Sequence, residues 1–127
     1  IDTSPAMLAK LAAKAEGRGW SHVHPATDLP SSTGGHDLVV CSSVLAFVDD
    51  PAATVPRLAR LLAPGGLLVQ WDWERDGDDP GSHGLTRDDV SRALSEAGLV
   101  AVEVDTAFAI TVEGQAMRPL MGVGQQP

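Results

Sequence analysis

The chain has 127 residues, 43% of them hydrophobic, and its 9 basic and 17 acidic side chains give a net charge of -8. This length and apolar share predict a single folded domain over residues 1–127 and exclude intrinsic disorder. The acidic balance argues against nucleic-acid binding, no apolar run approaches the roughly 20 residues of a membrane span, and the single cysteine fits a reducing cytoplasm.

The first predicted element is a helix close to the start of the chain. Thr3 and Ser4 are both candidate N-cap residues, and Pro5 suits the first helical position because an N–H there has no helical partner. A glycine, Gly17 or Gly19, is expected to end this helix. Its apolar residues recur at helical spacing, namely Met7, Leu8, Leu11, Ala12 and Ala15.

A short strand and a loop are predicted next. Residues 20–24 alternate with a period of two, which is typical of a strand. Residues 25–35 are rich in Pro, Ser, Thr, Asp and Gly, which indicates a loop.

Two continuous apolar runs, residues 37–41 and 67–71, dominate the centre of the chain. Strands that are covered on both faces need no polar alternation, so these runs predict two parallel strands joined by a crossover helix. In an open parallel sheet, ligands bind beyond the carboxyl ends of the strands. We therefore expect the functional residues at 41–47 and 71–74.

The crossover helix is predicted between these strands. Asp49 or Asp50, followed by Pro51, is a helix-start signal, and Pro64-Gly65-Gly66 is a stop signal. A proline deep inside a helix costs about 3 kcal/mol, and Pro56 falls in this segment. We therefore predict that regular helix begins near Thr54, with Pro56 in its first turn.

The part of the chain after the second apolar run begins with a polar segment. Residues 75–84 are acidic and Gly-rich, and they are predicted to form a mobile surface loop. Thr86 and Asp89 have the spacing of a capping box, so they predict the start of a helix, which Gly98 ends. Residues 100–105 alternate and predict a strand.

An antiparallel hairpin is predicted to close the chain. A turn is expected near residues 113–114, followed by a final strand over 116–124. Pro119 falls inside that strand and predicts a bulge or a late strand start, because proline cannot donate to the ladder.

The element order and three segments, 2–8, 36–40 and 61–66, resemble a class I S-adenosylmethionine-dependent methyltransferase of the small-molecule type. The resemblance implies an α/β fold: a Rossmann-like, mostly parallel sheet with helices on both faces and a C-terminal antiparallel hairpin. It also implies the strand order 3-2-1-4-5-7-6, S-adenosylmethionine as cofactor and a small-molecule acceptor.

The Gly-rich cofactor loop of that family has no counterpart in this sequence. None of the 13 glycines occurs as Gly-x-Gly-x-Gly. The resemblance implies that the family's first strand and this loop belong to a longer protein of which the chain is a part. Two alternatives are a homodimer in which a second copy fills the gap, and a rearranged sheet without activity.

The resemblance also implies a set of cofactor contacts. Asp2 would accept hydrogen bonds from the ribose hydroxyls, because a carboxylate accepts from two hydroxyls at once; its alternative role is that of a helix-start acid. Met7 fits a place near the adenine and equally a place in the core. Pro25 stands where the family has an aspartate that contacts the adenine, so only the N–H of Ala26 is left to form a hydrogen bond with the adenine ring. The full set is Asp2, Thr3, Met7, Ala26, Thr27, Cys41 and Ser42.

Acceptor contacts are expected at the ligand edge of the sheet, from Ser43, Phe47, Trp71 and Trp73. The two tryptophans fall on one side of their strand, and they fit either a pocket wall or packing under the polar loop. No general base is evident, and no catalytic residue is assigned. No metal site is predicted, because His22 and His24 lack a third ligand.

Two functions follow from these residues. The first is transfer of a methyl group from S-adenosylmethionine to a small molecule. The second is a degenerate, non-catalytic subunit that acts in binding or assembly, which the absent Gly-rich motif and Pro25 favour. A dehydrogenase is disfavoured because nothing after Asp2 resembles a nicotinamide-binding pattern.

Overall fold

The computed structural model describes residues 1–75, 84–112 and 115–127. Two compact units divide the chain, Ile1–Ser31 and Ser32–Pro127. Most of the polar loop expected at 75–84 and the turn expected at 113–114 lie outside the described residues. In the described part of the chain, no helix has both the length and the apolar character needed to cross a membrane.

The first unit is built on helix α1, Pro5–Gly17, where the sequence predicts it. Ser4 is the N-cap, and its hydroxyl accepts a hydrogen bond from the N–H of Met7 at 3.4 Å. The helix ends with Arg18 as C-cap, and Gly19 follows at a φ of 66°. Local capping signals therefore define this helix correctly.

The strand predicted at residues 20–24 is wrong, because this segment turns instead. The N–H of Trp20 donates to the Ala15 carbonyl at 2.9 Å, and the N–H of Val23 donates to the Trp20 carbonyl at 3.4 Å. The Trp20 ring lies under the cationic groups of Lys14 and Arg18, at 5.9 and 5.4 Å from its centroid. These contacts hold Trp20 against the end of α1, so residues 20–24 do not form an extended strand.

The second unit contains a four-stranded sheet and two α-helices. Its elements are β1 (His36–Ser42), a 3₁₀ turn (Leu45–Phe47), α2 (Pro51–Ala59), β2 (Leu62–Trp73), α3 (Arg87–Glu96), β3 (Val100–Thr106), β4 (Ile110–Val112), β5 (Gln115–Met117) and β6 (Pro119–Gln125). The sheet order is β1-β2-β6-β3, which matches the 4-5-7-6 half of the order that the resemblance implies. The expected α/β class is confirmed.

The strand ladders follow the predicted directions. β1 and β2 are parallel, with Val40 opposite Val69, whereas β6 is antiparallel to both β2 and β3. β4 and β5 pair antiparallel on either side of the expected turn. Pro119 is the first residue of β6, so the late strand start predicted from it is confirmed.

Helix α2 begins earlier than predicted. Asp50 is the N-cap, its Oδ1 accepts from the N–H of Ala53 at 2.9 Å, and Pro51 opens the first turn. The start near Thr54 is therefore wrong, and Pro56 lies inside the helix. Pro56 cannot donate to the carbonyl of Ala52, one turn earlier, and Ala52 is an exposed residue.

The Pro64-Gly65-Gly66 segment interrupts the ladder between β1 and β2. His36 pairs with Leu62 and Leu38 pairs with Leu67, so β2 carries extra residues between these two pairs. Gly65 adopts a φ of 80°, which favours glycine. The predicted stop signal thus lies within a continuous strand, where it sets the register of the parallel pair.

The core lies on one face of the sheet, between β2, β6 and the two helices. Its most deeply buried apolar side chains are Val55, Leu68, Val90, Leu94 and Leu120. On the opposite face, Leu38, Val40 and Leu67 are exposed. Among the strands that the structure describes, β1 pairs only with β2.

Candidate functional site

The carboxyl ends of β1 and β2 bring together several of the predicted acceptor residues. Ser42 lies opposite Trp71 in the parallel register, and the N–H of Ser43 donates to the Trp71 carbonyl at 2.7 Å. Trp71 and Trp73 are half-buried and lie on the same face of β2, opposite Asp72. Phe47 is 65% exposed and lies in the 3₁₀ turn that follows β1. These residues form the edge that we call the β1–β2 edge, comprising Ser42, Ser43, Phe47, Trp71 and Trp73.

Ser43 carries backbone strain at this edge. Its φ is 52°, in the left-handed region, which L-residues adopt at a cost. We expect Ser43→Gly to raise the free energy of unfolding by about 0.5 kcal/mol, since relief of strain exceeds the entropy that glycine adds to the unfolded chain. Urea unfolding followed by tryptophan fluorescence measures this change.

Two substitutions control that measurement. Ser43→Ala keeps the strained backbone and should give no gain, and Ser42→Gly, in β1, should be destabilising. Equal stability of Ser43→Gly and Ser43→Ala would contradict the assignment of strain.

Asp72 fixes the 3₁₀ turn to β2, a role that the sequence did not reveal. Its side chain is 1% exposed, and Oδ2 accepts from the N–H of Ala46 at 3.3 Å. Burial raises the pKa of this carboxyl, and hydrogen bonds from the backbone of Ala46, Trp73 and Leu45 oppose the rise. Asp72 therefore positions the turn that carries Phe47. The sequence signal for this role is the alternation along β2, which places the acidic Asp72 on the same strand face as the apolar Leu68.

Glu74, the second acid at this strand end, is paired. Its Oε1 lies 3.2 Å from Nε of Arg87, which also donates to the carbonyl of Val104 and the hydroxyl of Thr106. Asp72 is thus buried and Glu74 is engaged by Arg87, so neither is a free carboxylate.

Cys41 is a buried neutral thiol. Its side chain is 6% exposed and lies on the helix-covered face of β1, in register with Gln70. Burial, and next the charge of Asp72, raise the pKa of the thiol to about 11. The sulfur therefore stays protonated at neutral pH, and a protonated thiol is a poor nucleophile.

The first unit brings Asp2 and Ala26 together. The N–H of Asp2 donates to the Ala26 carbonyl at 3.2 Å, and Oδ1 of Asp2 accepts from the N–H of Ser4 at 2.7 Å. One carboxylate oxygen is thereby held at the start of α1, and the exposed side chain leaves the other oxygen accessible.

The other predicted cofactor residues of this unit are exposed. Met7 is 53% exposed, so in the described chain it is not a core residue. Thr3 is exposed, and the Thr27 hydroxyl donates to the carboxylate of Asp28 at 3.4 Å. The predicted cofactor set is thus distributed over both units, with Cys41 and Ser42 in the second. Within the described residues, no group of three or more His, Cys, Asp or Glu side chains has an arrangement suited to a metal ion.

Comparison with known proteins is consistent with this geometry. A family model described as "Methyltransferase domain" matches residues 1–70. A trans-aconitate 2-methyltransferase from Methylobacterium radiotolerans is 40% identical over 69 residues, which cover 54% of this chain and 26% of that protein. The chain thus matches about a quarter of that relative's length.

Solved structures share the fold at low sequence identity. A SAM-dependent methyltransferase from Aquifex aeolicus superposes with a TM-score of 0.70 at 17% identity, over 99% of this chain and 66% of its own. The N-methyltransferase NodS from Bradyrhizobium japonicum, in complex with S-adenosyl-L-homocysteine, gives 0.70 at 20% identity, over 99% and 64%. The expected family and its cofactor class are confirmed: the chain belongs to the methyltransferase-domain family of class I S-adenosylmethionine-dependent methyltransferases.

Proposed function

We propose that the protein transfers a methyl group from S-adenosylmethionine to a small-molecule nucleophile, and that residues 1–127 belong to one methyltransferase domain. The observation that carries this proposal is the match of residues 1–70 to the methyltransferase family, which includes Asp2 and the strand ending at Ser42.

Asp2 is the residue proposed to hold the cofactor ribose. Its carboxylate is fixed by the N–H of Ser4 at 2.7 Å, so its orientation is set before a ligand arrives. The bond from the Asp2 N–H to the Ala26 carbonyl places the Ala26 segment beside it. Thr3, Met7 and Thr27 are proposed to line the same site.

The β1–β2 edge is proposed to hold the acceptor. The tryptophans supply apolar walls and the hydroxyl of Ser43 supplies hydrogen bonds, while Ser42 is proposed to contact the cofactor. Displacement at the methyl carbon of a sulfonium requires alignment of the nucleophile more than it requires a base. The buried Asp72 and the paired Glu74 are compatible with such a site.

A transfer assay with methyl-labelled S-adenosylmethionine tests this function. Trans-aconitate is the first acceptor to test because of the related methyltransferase, followed by a panel of small carboxylic acids, amines and phenols. We expect transfer by the wild-type protein and a loss of roughly 10- to 100-fold with Asp2→Ala, since charge-assisted hydrogen bonds are worth about 1.5–3 kcal/mol.

The second function is a binding or assembly subunit without catalysis. Pro25, which has no polar side-chain group for the adenine, favours it. Binding of S-adenosylhomocysteine without transfer to any acceptor in the panel would support this alternative. Transfer that is unchanged in Asp2→Ala would contradict the proposed cofactor contact.

A further inference from the structure

Strand β1 forms one edge of the four-stranded sheet. Among the strands that the structure describes, β1 pairs with β2 alone, so one side of its main chain has no ladder. The N–H of Ser43 donates to the carbonyl of Trp71, the residue opposite Ser42, so the ladder with β2 uses the odd-numbered residues of β1. The N–H and C=O groups of Leu38 and Val40 therefore point away from β2, towards the edge.

The β1 edge is apolar as well as unpaired. The side chains of Leu38 and Val40 are 56% and 50% exposed, and Leu67, opposite Leu38 on β2, is 38% exposed. From Leu38 to Ser42 the strand contains no charged residue and no proline. Soluble proteins normally protect an edge strand with such residues or with a bulge, because an open edge pairs with other chains. The β1 edge therefore has the properties of a surface that a further strand covers.

The opposite edge of the sheet, strand β3, is protected. It carries two exposed acids, Glu103 and Asp105, and its ladder with β6 has a register shift between Val100 and Glu103. Ala101, within that shift, has a φ of 50° in the left-handed region. Charges and an irregular backbone both oppose the addition of a strand. The two edges of one sheet thus differ, and only the β1 edge is suited to strand pairing.

We propose that a second copy of the chain covers the β1 edge, with the two β1 strands antiparallel about a two-fold axis at Val39. In this register Leu38 of each copy lies opposite Val40 of the other, so the outward-facing groups meet and exchange about four hydrogen bonds. The two Asp37 carboxylates lie about 13 Å apart along the strands, beyond the Debye length of about 8 Å at physiological salt. The strand is therefore complementary to itself in hydrogen bonding, in apolar contact and in charge.

Pairing of two copies also closes the assembly. It joins two four-stranded sheets side by side, and the outer edge of each is then the protected strand β3. Addition of a third copy is thereby opposed. A charged peptide is a poorer occupant, because residues 38–42 offer it no charge to pair with. The interface does not depend on the proposed methyl transfer, and it gives the homodimer considered from the sequence a defined surface.

Sedimentation equilibrium of the 127-residue chain, from about 10 µM to about 1 mM, tests the proposal by mass action. We expect a reversible equilibrium between monomer and dimer without larger species. Each copy carries a net charge of -8, so about 0.5 M sodium chloride should retain or strengthen the dimer by screening this repulsion. A monomer at every concentration, or a dimer that dissociates in salt, would overturn the proposal.

Amide hydrogen exchange locates the interface on the wild-type protein. The Val39 amide faces β2 and should be protected at both ends of the concentration range, which reports that the sheet is folded. The Leu38 and Val40 amides face the edge and should exchange at least about tenfold more slowly at the higher concentration. Equal exchange of these two amides at both concentrations would overturn the proposed interface even if a dimer forms.

Val40→Lys places a charge at the interface and should raise the Kd of the dimer at least about tenfold. Val100→Lys is the matched control, because Val100 is 47% exposed on the opposite edge strand, and it should leave the Kd unchanged. Protection of the Val39 amide reports whether each variant is folded. Unchanged dimerisation of Val40→Lys, or an equal loss in Val100→Lys, would contradict the β1 interface.

Discussion

Gly66→Ala is expected to lower the free energy of unfolding by about 3 kcal/mol or more. A Cβ at this position would lie 2.7 Å from the His36 carbonyl oxygen and 2.9 Å from that of Ala63. Both atoms belong to the backbone, so rotation of a side chain cannot relieve the contact. Urea unfolding followed by circular dichroism measures the loss as a lower midpoint.

Gly35→Ala is the matched control for that result. No atom lies within 4 Å of a Cβ at Gly35, so its substitution should change stability by no more than about 0.5 kcal/mol. Similar losses in the two variants would contradict the proposed close approach. Gly66 lies between the pairs His36–Leu62 and Leu38–Leu67, where the register of the β1–β2 ladder shifts.

Asp72→Ala is expected to lower the free energy of unfolding by about 2 kcal/mol, because it removes the acceptor for the N–H of Ala46 and leaves that group without a partner. The same change should loosen the 3₁₀ turn. Hydrogen exchange at the Ala46 amide, together with urea unfolding, measures both effects. A stable variant with unchanged exchange at Ala46 would show that Asp72 does not hold the turn.

Asp72→Asn separates the charge of this side chain from its acceptor. The pKa of Asp72 in the folded protein is raised, so the folded state binds the proton more tightly and the ionised carboxyl costs stability above the unfolded pKa of about 3.9. Asparagine keeps an acceptor oxygen without that cost. We expect Asp72→Asn to be more stable than the wild type at pH 7, with the difference shrinking as the pH falls towards 4. A difference that grows on acidification would reverse the sign of the pKa shift.

Much of the fold was predictable from local signals. Ser4 with Pro5 and Thr86 with Asp89 define helix starts through contacts a few residues apart, and both helices begin there. The apolar runs similarly define β1 and the centre of β2. Where several local signals favour the same secondary structure, tertiary contacts rarely change it.

The errors arose from contacts that periodicity and propensity do not report, although the partners are close in sequence. Residues 20–24 have the alternation of a strand, but Trp20 instead contacts the end of α1, which propensity does not report. The start of α2 was placed too late because the cost of Pro56 was given more weight than the start signal of Asp50 and Pro51, which the structure follows.

The location of the candidate site was easier to predict from the sequence than the environments of its individual side chains. The meeting of Ser42, Ser43 and Trp71 follows from parallel strand ends. The burial of Asp72 and Gln70 could not be predicted without knowing which face of β2 the helices cover, since alternation gives two faces without saying which is buried.

We propose that this chain carries the ribose-binding part of an S-adenosylmethionine site, with Asp2 as its main contact. Calorimetric titration of the 127-residue chain with S-adenosylhomocysteine tests this proposed contact most directly. We predict saturable one-site binding that Asp2→Ala weakens by roughly 10- to 100-fold and that Gln125→Leu leaves unchanged. Absence of binding heat at millimolar ligand, or equal affinity in Asp2→Ala, would contradict the claim.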